Sequence, residues 1–228
     1  MKKIILSIGI ATAITTLSTA NSWAMANEHD HSLNTDIINQ IDNMQWDGWL
    51  NNQIVDSMHM PMMNAELVES GNVDKDFIAN MIPHHQGAVD SAKLILEHSK
   101  NEQVRAIAQN IIKTQEQEIA QFNDLLNDNQ IKDNKIDEKA YQNFVTEEKA
   151  IMTDMMNQMI AVTKTRDKKS IDYTFILAMK YHHIGAIKAS KQILSYTKDP
   201  VIRKIARNII KDQSKEIKSF DKLIEKGL

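Results

Sequence analysis

The chain has 228 residues with 27 basic and 30 acidic side chains, 13 methionines, 8 histidines and no cysteine. A chain without cysteine excludes disulfides and thiolate metal sites, and the mild negative charge without a clustered basic face argues against nucleic-acid binding. Because aromatic residues make up 5% and there are only 6 glycines and 3 prolines, the composition favours an all-α domain.

The N-terminus has the pattern of a secretory signal peptide. Lys2 and Lys3 precede an apolar run over 4–17, and Ala24-Met25-Ala26 supplies the small residues of a cleavage site. The apolar run is too short, and too often interrupted by Thr and Ser, for a stable membrane span. We therefore expect residues 1–26 to be removed and the mature chain to be a soluble periplasmic protein with no membrane span.

The next segment is polar and then becomes helical. Residues 27 to about 36 lack apolar periodicity, and we assign 27–43 as a flexible N-terminal segment. A first helix is predicted over about 37–69, with interruptions around Gly48 and Pro61. Gly71-Asn72 indicates a turn, and Asp74 is the predicted N-cap of the following helix.

That following helix forms a hairpin with its successor. Its apolar seam contains a histidine, His85, and the seam of the next helix contains two polar residues, Gln115 and Glu118. The two seams are Ile78, Met81, His85, Ala88, Ala92, Ile95, Ser99 and Val104, Ala108, Ile111, Gln115, Glu118, Phe122, Leu125. The connection at Lys100-Asn101 is short, so the helices should be antiparallel. His85 should then meet Gln115 and Glu118 at the same level.

The whole hairpin recurs 98 residues later. Of the 49 positions from 77 to 125, 23 are identical to their counterparts from 175 to 223, including His182-His183, Gln213 and Glu216. A turn at Asp199-Pro200 separates the second pair of helices. The sequence therefore predicts two repeats, 44–130 and 131–228, packed as one all-α bundle. We expect a pseudo-twofold axis that brings the histidine-bearing seams together.

The histidine pairs have the chemistry of a soft-metal site. Met81 precedes His84 by three residues and His85 by four, so the thioether and the imidazoles share one side of the helix, and Met179 repeats this before His182 and His183. Imidazole with thioether and no thiolate suits copper, particularly Cu(I), with Ag(I) as a mimic. The seam residues are candidates to orient the ligands from a second shell: Gln115, Glu118, Gln213 and Glu216.

Other methionines and histidines are further candidates. Five soft donors surround Pro61, a pattern that does not form a clean core stripe: Met58, His59, Met60, Met62 and Met63. A second group has the i, i+3, i+4, i+7 spacing of ordinary helical core and is a weaker metal candidate: Met152, Met155, Met156 and Met159. His29 and His31 are weak candidates for an auxiliary chelating tail.

The stretch from Met81 to Ala88, followed by Gln115-Glu116-Gln117-Glu118-Ile119, resembles the family catalogued as domain of unknown function 305. The resemblance covers 57–126 and, in a more diverged second copy, 155–224. It implies an exported, ferritin-like helical bundle related to periplasmic copper-binding proteins implicated in copper resistance. It also implies that the copper ligands are His84, His85, His182, His183 and nearby methionines. Tyr181 and Ile184 replace Pro83 and Gln86 in the second copy.

Three functions remain open from the sequence. The first is a periplasmic protein that binds Cu(I) or Cu(II) for sequestration, tolerance or transfer; it is not an enzyme, and its candidate protein partner is a copper exporter or chaperone. The second is a metal-free structural or partner-binding bundle, in which the seam histidines are satisfied by Gln and Glu. The third is a di-iron oxidase, for which the Glu-x-x-His pattern occurs only at Glu28 to His31.

Overall fold

The computed structural model describes residues 32–128, 130–164 and 170–228, with side chains from residue 48 onward. By its contacts the chain divides into a unit over 1–41, whose described residues 32–41 are helical, and a unit over 42–228. In the described ranges there are six helices and no strand. They are α1 (Ser32–Asn64), α2 (Val73–His98), α3 (Glu102–Asn127), α4 (Glu138–Thr163), α5 (Ile171–Tyr196) and α6 (Pro200–Glu225). The predicted all-α bundle is confirmed.

The first helix corrects the boundaries expected for it. α1 begins at Ser32, inside the segment 27–43 that was expected to be flexible, and it ends at Asn64 rather than near 69. It also continues through Gly48 and Pro61. Since no glycine or proline lies between 32 and 47, each added residue extends an existing helix at little cost. Pro61 is tolerated because Met58 and Met62, one turn apart on the same side, are both buried.

Side-chain caps set the starts of the other helices. The N-cap of α2 is Asn72, whose side chain accepts from the backbone amides of Asp74 and Lys75, so the expectation of Asp74 as N-cap is wrong. Asp74 is instead buried in the first turn, where Asn134 donates to its carboxylate at 2.9 Å. The predicted start of α6, with Asp199 as N-cap and Pro200 in the first turn, is confirmed.

The helices pair as two similar hairpins. α2 packs on α3, α5 packs on α6, and the histidine-bearing helices α2 and α5 pack on each other, while α4 packs on α5. Both hairpins are closed in the same way: Arg105 donates to the carbonyls of Leu96 and Ser99, and Arg203 donates to those of Leu194 and Thr197. These repeated contacts are consistent with the predicted pseudo-symmetry.

A glycine in each histidine helix allows a close approach by the methionine-rich helix of the same half. A Cβ atom on Gly87 would overlap the backbone carbonyl of Met58 in α1, and one on Gly185 would overlap the side chain of Met155 in α4. The residue two positions after each His-His pair is therefore small because α1 or α4 lies directly against it.

Some of the sequence-based expectations concern residues before Ser32. The signal peptide, His29 and His31 lie outside the described residues. Within the described part of the chain, none of the helices combines the length and apolar character needed to cross a bilayer.

Candidate metal centre

Four histidines meet where α2 packs on α5. The rings of His84 and His182 stack, with centroids 3.7 Å apart and planes tilted by 38°. The ring of His85 lies 6.0 Å from that of His84, and the ring of His183 lies 6.1 Å from that of His182. All four side chains are buried. We call these four residues the histidine cluster, and its near-equal distances follow the pseudo-twofold relation of the two halves.

The outer histidine of each pair bonds to a glutamate, as the hairpin arithmetic predicted. His85 Nε2 lies 2.9 Å from Glu118 Oε2, and His183 Nε2 lies 2.8 Å from Glu216 Oε2. Phe122 and Phe220 lie beside these two imidazoles. The predicted meeting of histidine and glutamate is confirmed, and the glutamates fix the orientation of both rings.

The remaining ring nitrogens of the histidine cluster have no such partner. Neither nitrogen of His84 or of His182 forms a hydrogen bond with the described residues, and the same holds for Nδ1 of His85 and of His183. Buried polar atoms are nearly always satisfied by protein, water or an ion. Because each neutral imidazole has one nitrogen with a free lone pair, the histidine cluster can offer up to four imidazole ligands in the interior.

The electrostatics favour the neutral, ligating form of the central pair. Burial holds the pKa of His84 and of His182 well below the usual value for histidine, and the neighbouring imidazoles lower it further. The backbone of each partner histidine opposes this shift only in part, through a contact that does not reach hydrogen-bond geometry. Both rings are therefore uncharged at neutral pH, which is the state that binds a metal ion.

A small cavity adjoins the histidine cluster and collects sulfur atoms. Its volume is about 80 Å³. The soft donors on its wall come from three helices: Met62 of α1, Met81 and His84 of α2, and Met152 and Met155 of α4. We call this cavity the methionine pocket. It joins residues of the first half to residues of the second.

One acidic residue, Glu148 of α4, lines the same pocket. Its side chain is buried and accepts a hydrogen bond of 3.1 Å from Asn80 Nδ2. Burial raises the pKa of Glu148 to about 7; the Asn80 bond opposes the rise, and the charges of Asp76 and Glu69 add to it. The sequence analysis did not single out this residue. The available signal was an acid on a seam that also contains Tyr141, Val145, Met152 and Met155.

The other predicted ligands are divided between interior and surface. Met58, Met159 and Met179 are fully buried in the core, and Met156 is half-buried against it. His59 is buried, its Nε2 has no hydrogen-bond partner in the described chain, and burial lowers its pKa. Met60 and Met63 are 51% and 62% exposed, because an unbroken α1 places them on the outer side of the helix.

The donor types limit what the site can hold. Among the described residues, no three His, Asp or Glu side chains are placed to hold a metal ion together. An ion bound at this centre would therefore need thioether ligands from the methionine pocket in addition to imidazole. Gln115 and Gln213 are buried near the glutamates, and their predicted role in orienting ligands stays a prediction.

Fold and site together define a class: an all-α bundle of two similar hairpins with a buried histidine cluster at their junction. The chain belongs to the family described as "Domain of unknown function (DUF305)", whose sequence model matches residues 74–224. The match is single and spans both halves, so the expectation of two tandem family copies stays a prediction.

Three known proteins are similar to this chain. Uncharacterized protein L153 of Acanthamoeba polyphaga mimivirus is 33% identical over 63 residues, which are 28% of this chain and 41% of that protein, so less than half of that relative is covered. A crystal structure of a DUF305 fragment from Deinococcus radiodurans shares the fold, with 22% identity, a TM-score of 0.50, and coverage of 68% of this chain and 96% of the fragment. The structure of CopM in its Ag-bound form, obtained by soaking, has 25% identity, a TM-score of 0.49 and the same two coverages.

Proposed function

We propose that this protein binds a soft monovalent metal ion, Cu(I) with Ag(I) as a mimic, in the methionine pocket next to the histidine cluster. The observation that carries the proposal is the composition of that pocket. It combines the thioethers of Met62, Met81, Met152 and Met155 with the imidazole of His84, whose two nitrogens have no partner in the described chain. Thioether ligands select Cu(I), and imidazole also suits copper.

The pocket has room for an ion. A cavity needs about 10–15 Å³ of such volume to hold one water molecule, and the pocket measures about 80 Å³. Methionine side chains are flexible, so their sulfur atoms can close around an ion without movement of the helices. We propose a binding role in sequestration or transfer and not an enzymatic one.

Glu148 supports the choice of a cation. A monovalent ion held only by neutral ligands leaves one uncompensated positive charge in the interior, which is unfavourable. The carboxyl group of Glu148 lines the same pocket and can supply the opposing charge. We propose that Glu148 compensates the bound ion, whereas Met60 and Met63 lie on the surface of α1, outside the pocket.

The biological setting is part of the proposal. A signal peptide over 1–26 would place the chain in a periplasm, where Cu(I) binding contributes to copper tolerance. Hand-over would then involve an exporter or chaperone. Cu(II) is a weaker substrate in this scheme, because it prefers nitrogen and oxygen ligands to thioethers.

The test is a titration of the mature chain with Cu(I), Ag(I) and Zn(II), each against a competing chelator. The variant Met81→Leu with Met155→Leu keeps the apolar volume but removes two sulfur atoms. We expect tight Cu(I) and Ag(I) binding by the native chain, weak Zn(II) binding, and at least a tenfold loss of Ag(I) affinity in the variant. The matched control is Met60→Leu with Met63→Leu, which removes two exposed sulfur atoms and should leave the pocket affinity unchanged.

One observation favours the metal-free alternative. The His85–Glu118 and His183–Glu216 bonds are those expected of buried polar pairs that satisfy each other. This alternative makes a different prediction. A metal-free scaffold has the same melting temperature with and without Ag(I), whereas an ion bound only by the folded state raises it. An unchanged melting temperature together with no competition for Cu(I) would overturn the copper proposal.

A further inference from the structure

A second cavity lies on another side of the molecule, between α3 and α6. It is an open cleft of about 610 Å³, and its lining residues are all different from those of the methionine pocket. Most of its polar lining comes in equivalent pairs from the two halves, as Gln115 with Gln213 and Glu118 with Glu216. We call it the α3/α6 cleft. Its donors are oxygen atoms, not sulfur.

The two glutamines of the cleft are buried, and their side-chain oxygens accept no hydrogen bond from the described residues. Gln115 is 2% exposed and Gln213 is 4% exposed, and Oε1 of each has no hydrogen-bond partner among the described residues. Both side chains line the cleft. Because buried amide oxygens are rarely left unpaired, water or an ion in the cleft is their remaining partner.

The two glutamates are held in place and face the same cleft. Each uses Oε2 to accept from a histidine, and their side chains remain 28% and 21% exposed. Oε1 of Glu216 also accepts a hydrogen bond of 3.0 Å from Asn110 of α3, so the carboxylate of α6 is tied to the opposite wall. Burial alone would raise the pKa of Glu216, but the bond from His183 and the bond from Asn110 bring it below its usual value.

We propose that the α3/α6 cleft binds one divalent cation through oxygen ligands. Two carboxylates and two amide oxygens are the donor set of hard ions such as Mg²⁺, Mn²⁺ and Ca²⁺. The cleft is also lined by Asp212 and Lys215, so its ionised groups sum to a negative charge. Since no three His, Asp or Glu of the described chain converge, the cation keeps part of its water shell, for which a cleft of this size has room.

This proposal does not rest on the proposed copper function. The methionine pocket offers sulfur and one imidazole, and the α3/α6 cleft offers oxygen, so the two cavities select ions of opposite softness. The histidine cluster lies between them: His84 lines the methionine pocket, while His85 bonds to Glu118 of the cleft. The protein would then hold a soft ion and a hard ion in separate places.

The experiment uses Mn(II) as the probe, with free Mn(II) measured by electron paramagnetic resonance during titration of the mature chain. We expect one bound Mn(II) per chain and at least a tenfold weaker binding in Glu118→Gln. The matched control is Glu116→Gln, which removes a carboxylate from the same helix that is exposed and paired with Lys93 at 2.8 Å. The control should bind Mn(II) as the native chain does.

A second variant guards against loss of folding. Gln115→Glu adds a carboxylate to the cleft and should tighten Mn(II) binding, an effect that unfolding cannot produce. Absence of Mn(II) binding by the native chain, equal weakening by Glu118→Gln and Glu116→Gln, or no tightening by Gln115→Glu would each overturn the proposal. Ag(I) affinity of the native chain separates the two failures, because tight Ag(I) binding without Mn(II) binding would overturn the cleft proposal alone.

Discussion

The two halves of the bundle share a frame but differ at the methionine pocket. The histidine–glutamate bonds measure 2.9 and 2.8 Å, and an equivalent arginine, Arg105 or Arg203, closes each hairpin. Yet the pocket takes its imidazole from His84 of the first half and two of its methionines from the second. His182, the counterpart of His84, contributes a ring stacked behind it. The hairpin contacts are thus alike in the two halves, whereas the two halves contribute different donors to the methionine pocket.

The largest difference between the halves should appear at the paired glycines. In Gly87→Ala the new methyl group meets the backbone carbonyl of Met58, which can move only if α1 moves, so we expect a loss of about 3 kcal/mol in the free energy of unfolding. In Gly185→Ala it meets the flexible side chain of Met155. There the better helix propensity of alanine offsets part of the cost, and we expect a loss below about 1 kcal/mol. Urea denaturation of both variants measures this, and equal losses would contradict it.

Glu148, in the second half, makes the free energy of unfolding depend on pH. Its pKa is raised to about 7 in the folded chain, from an ordinary value near 4.5. Since the folded pKa is the higher one, the folded state holds the proton more tightly, and stability falls as the pH rises from about 4.5 to 7. Glu148→Gln keeps an acceptor for Asn80 and removes this loss. We expect it to raise stability by about 2 kcal/mol at pH 8 and by little at pH 4.5.

Urea denaturation at the two pH values checks this prediction. The matched control is Glu147→Gln, the exposed neighbour on α4. A gain of the same size at both pH values would show that ionisation of Glu148 is not the cause.

The central histidines test the asymmetry of binding directly. His84→Ala removes the imidazole that lines the methionine pocket, so we expect at least a tenfold loss of Ag(I) affinity, about 1.4 kcal/mol. His182→Ala removes only the stacked ring, and its loss should be smaller. Chelator competition measures both. Equal losses would indicate that the ion lies between the two rings and not in the pocket.

The smallest effects should be equal in the two halves. Arg105 and Arg203 each donate to two carbonyl groups at the end of the preceding helix. Replacing either by alanine should cost about 1 kcal/mol in the free energy of unfolding, because a charged donor at a helix C-terminus is lost. Thermal denaturation of both variants and of the double variant checks that the losses match and add. Unequal losses would show that the two arginines contribute differently to stability although their hydrogen bonds are alike.

Sequence patterns predicted the features that depend on one helix or one hairpin. The buried seam of α2 and the meeting of His85 with Glu118 follow from helical periodicity and a short turn. The His84–His182 stack depends on how α2 is rotated against α5, which periodicity along one helix does not define. Glu148 was missed for a similar reason, since its position in the methionine pocket depends on the packing of α4 against α5.

Local propensity predicted the wrong residue where two neighbours had similar preferences. Asn72 and Asp74 are both good N-caps, and the choice falls to Asn72 because Asp74 is bonded to Asn134. Pro61 was expected to interrupt α1, but burial of the methionines on either side keeps the helix intact. Its continuation separates Met60 and Met63 on the surface from Met58 and Met62 in the interior.

The contact between His84 and His182 determines how assembly of the site depends on protein concentration. In a twofold dimer of single repeats the same contact would be made between a residue and its own copy in another molecule, so it would be lost on dilution. Here both rings belong to one polypeptide, and their effective concentration is fixed by the chain that joins them. The centre therefore assembles equally well when the protein is scarce and when it is abundant.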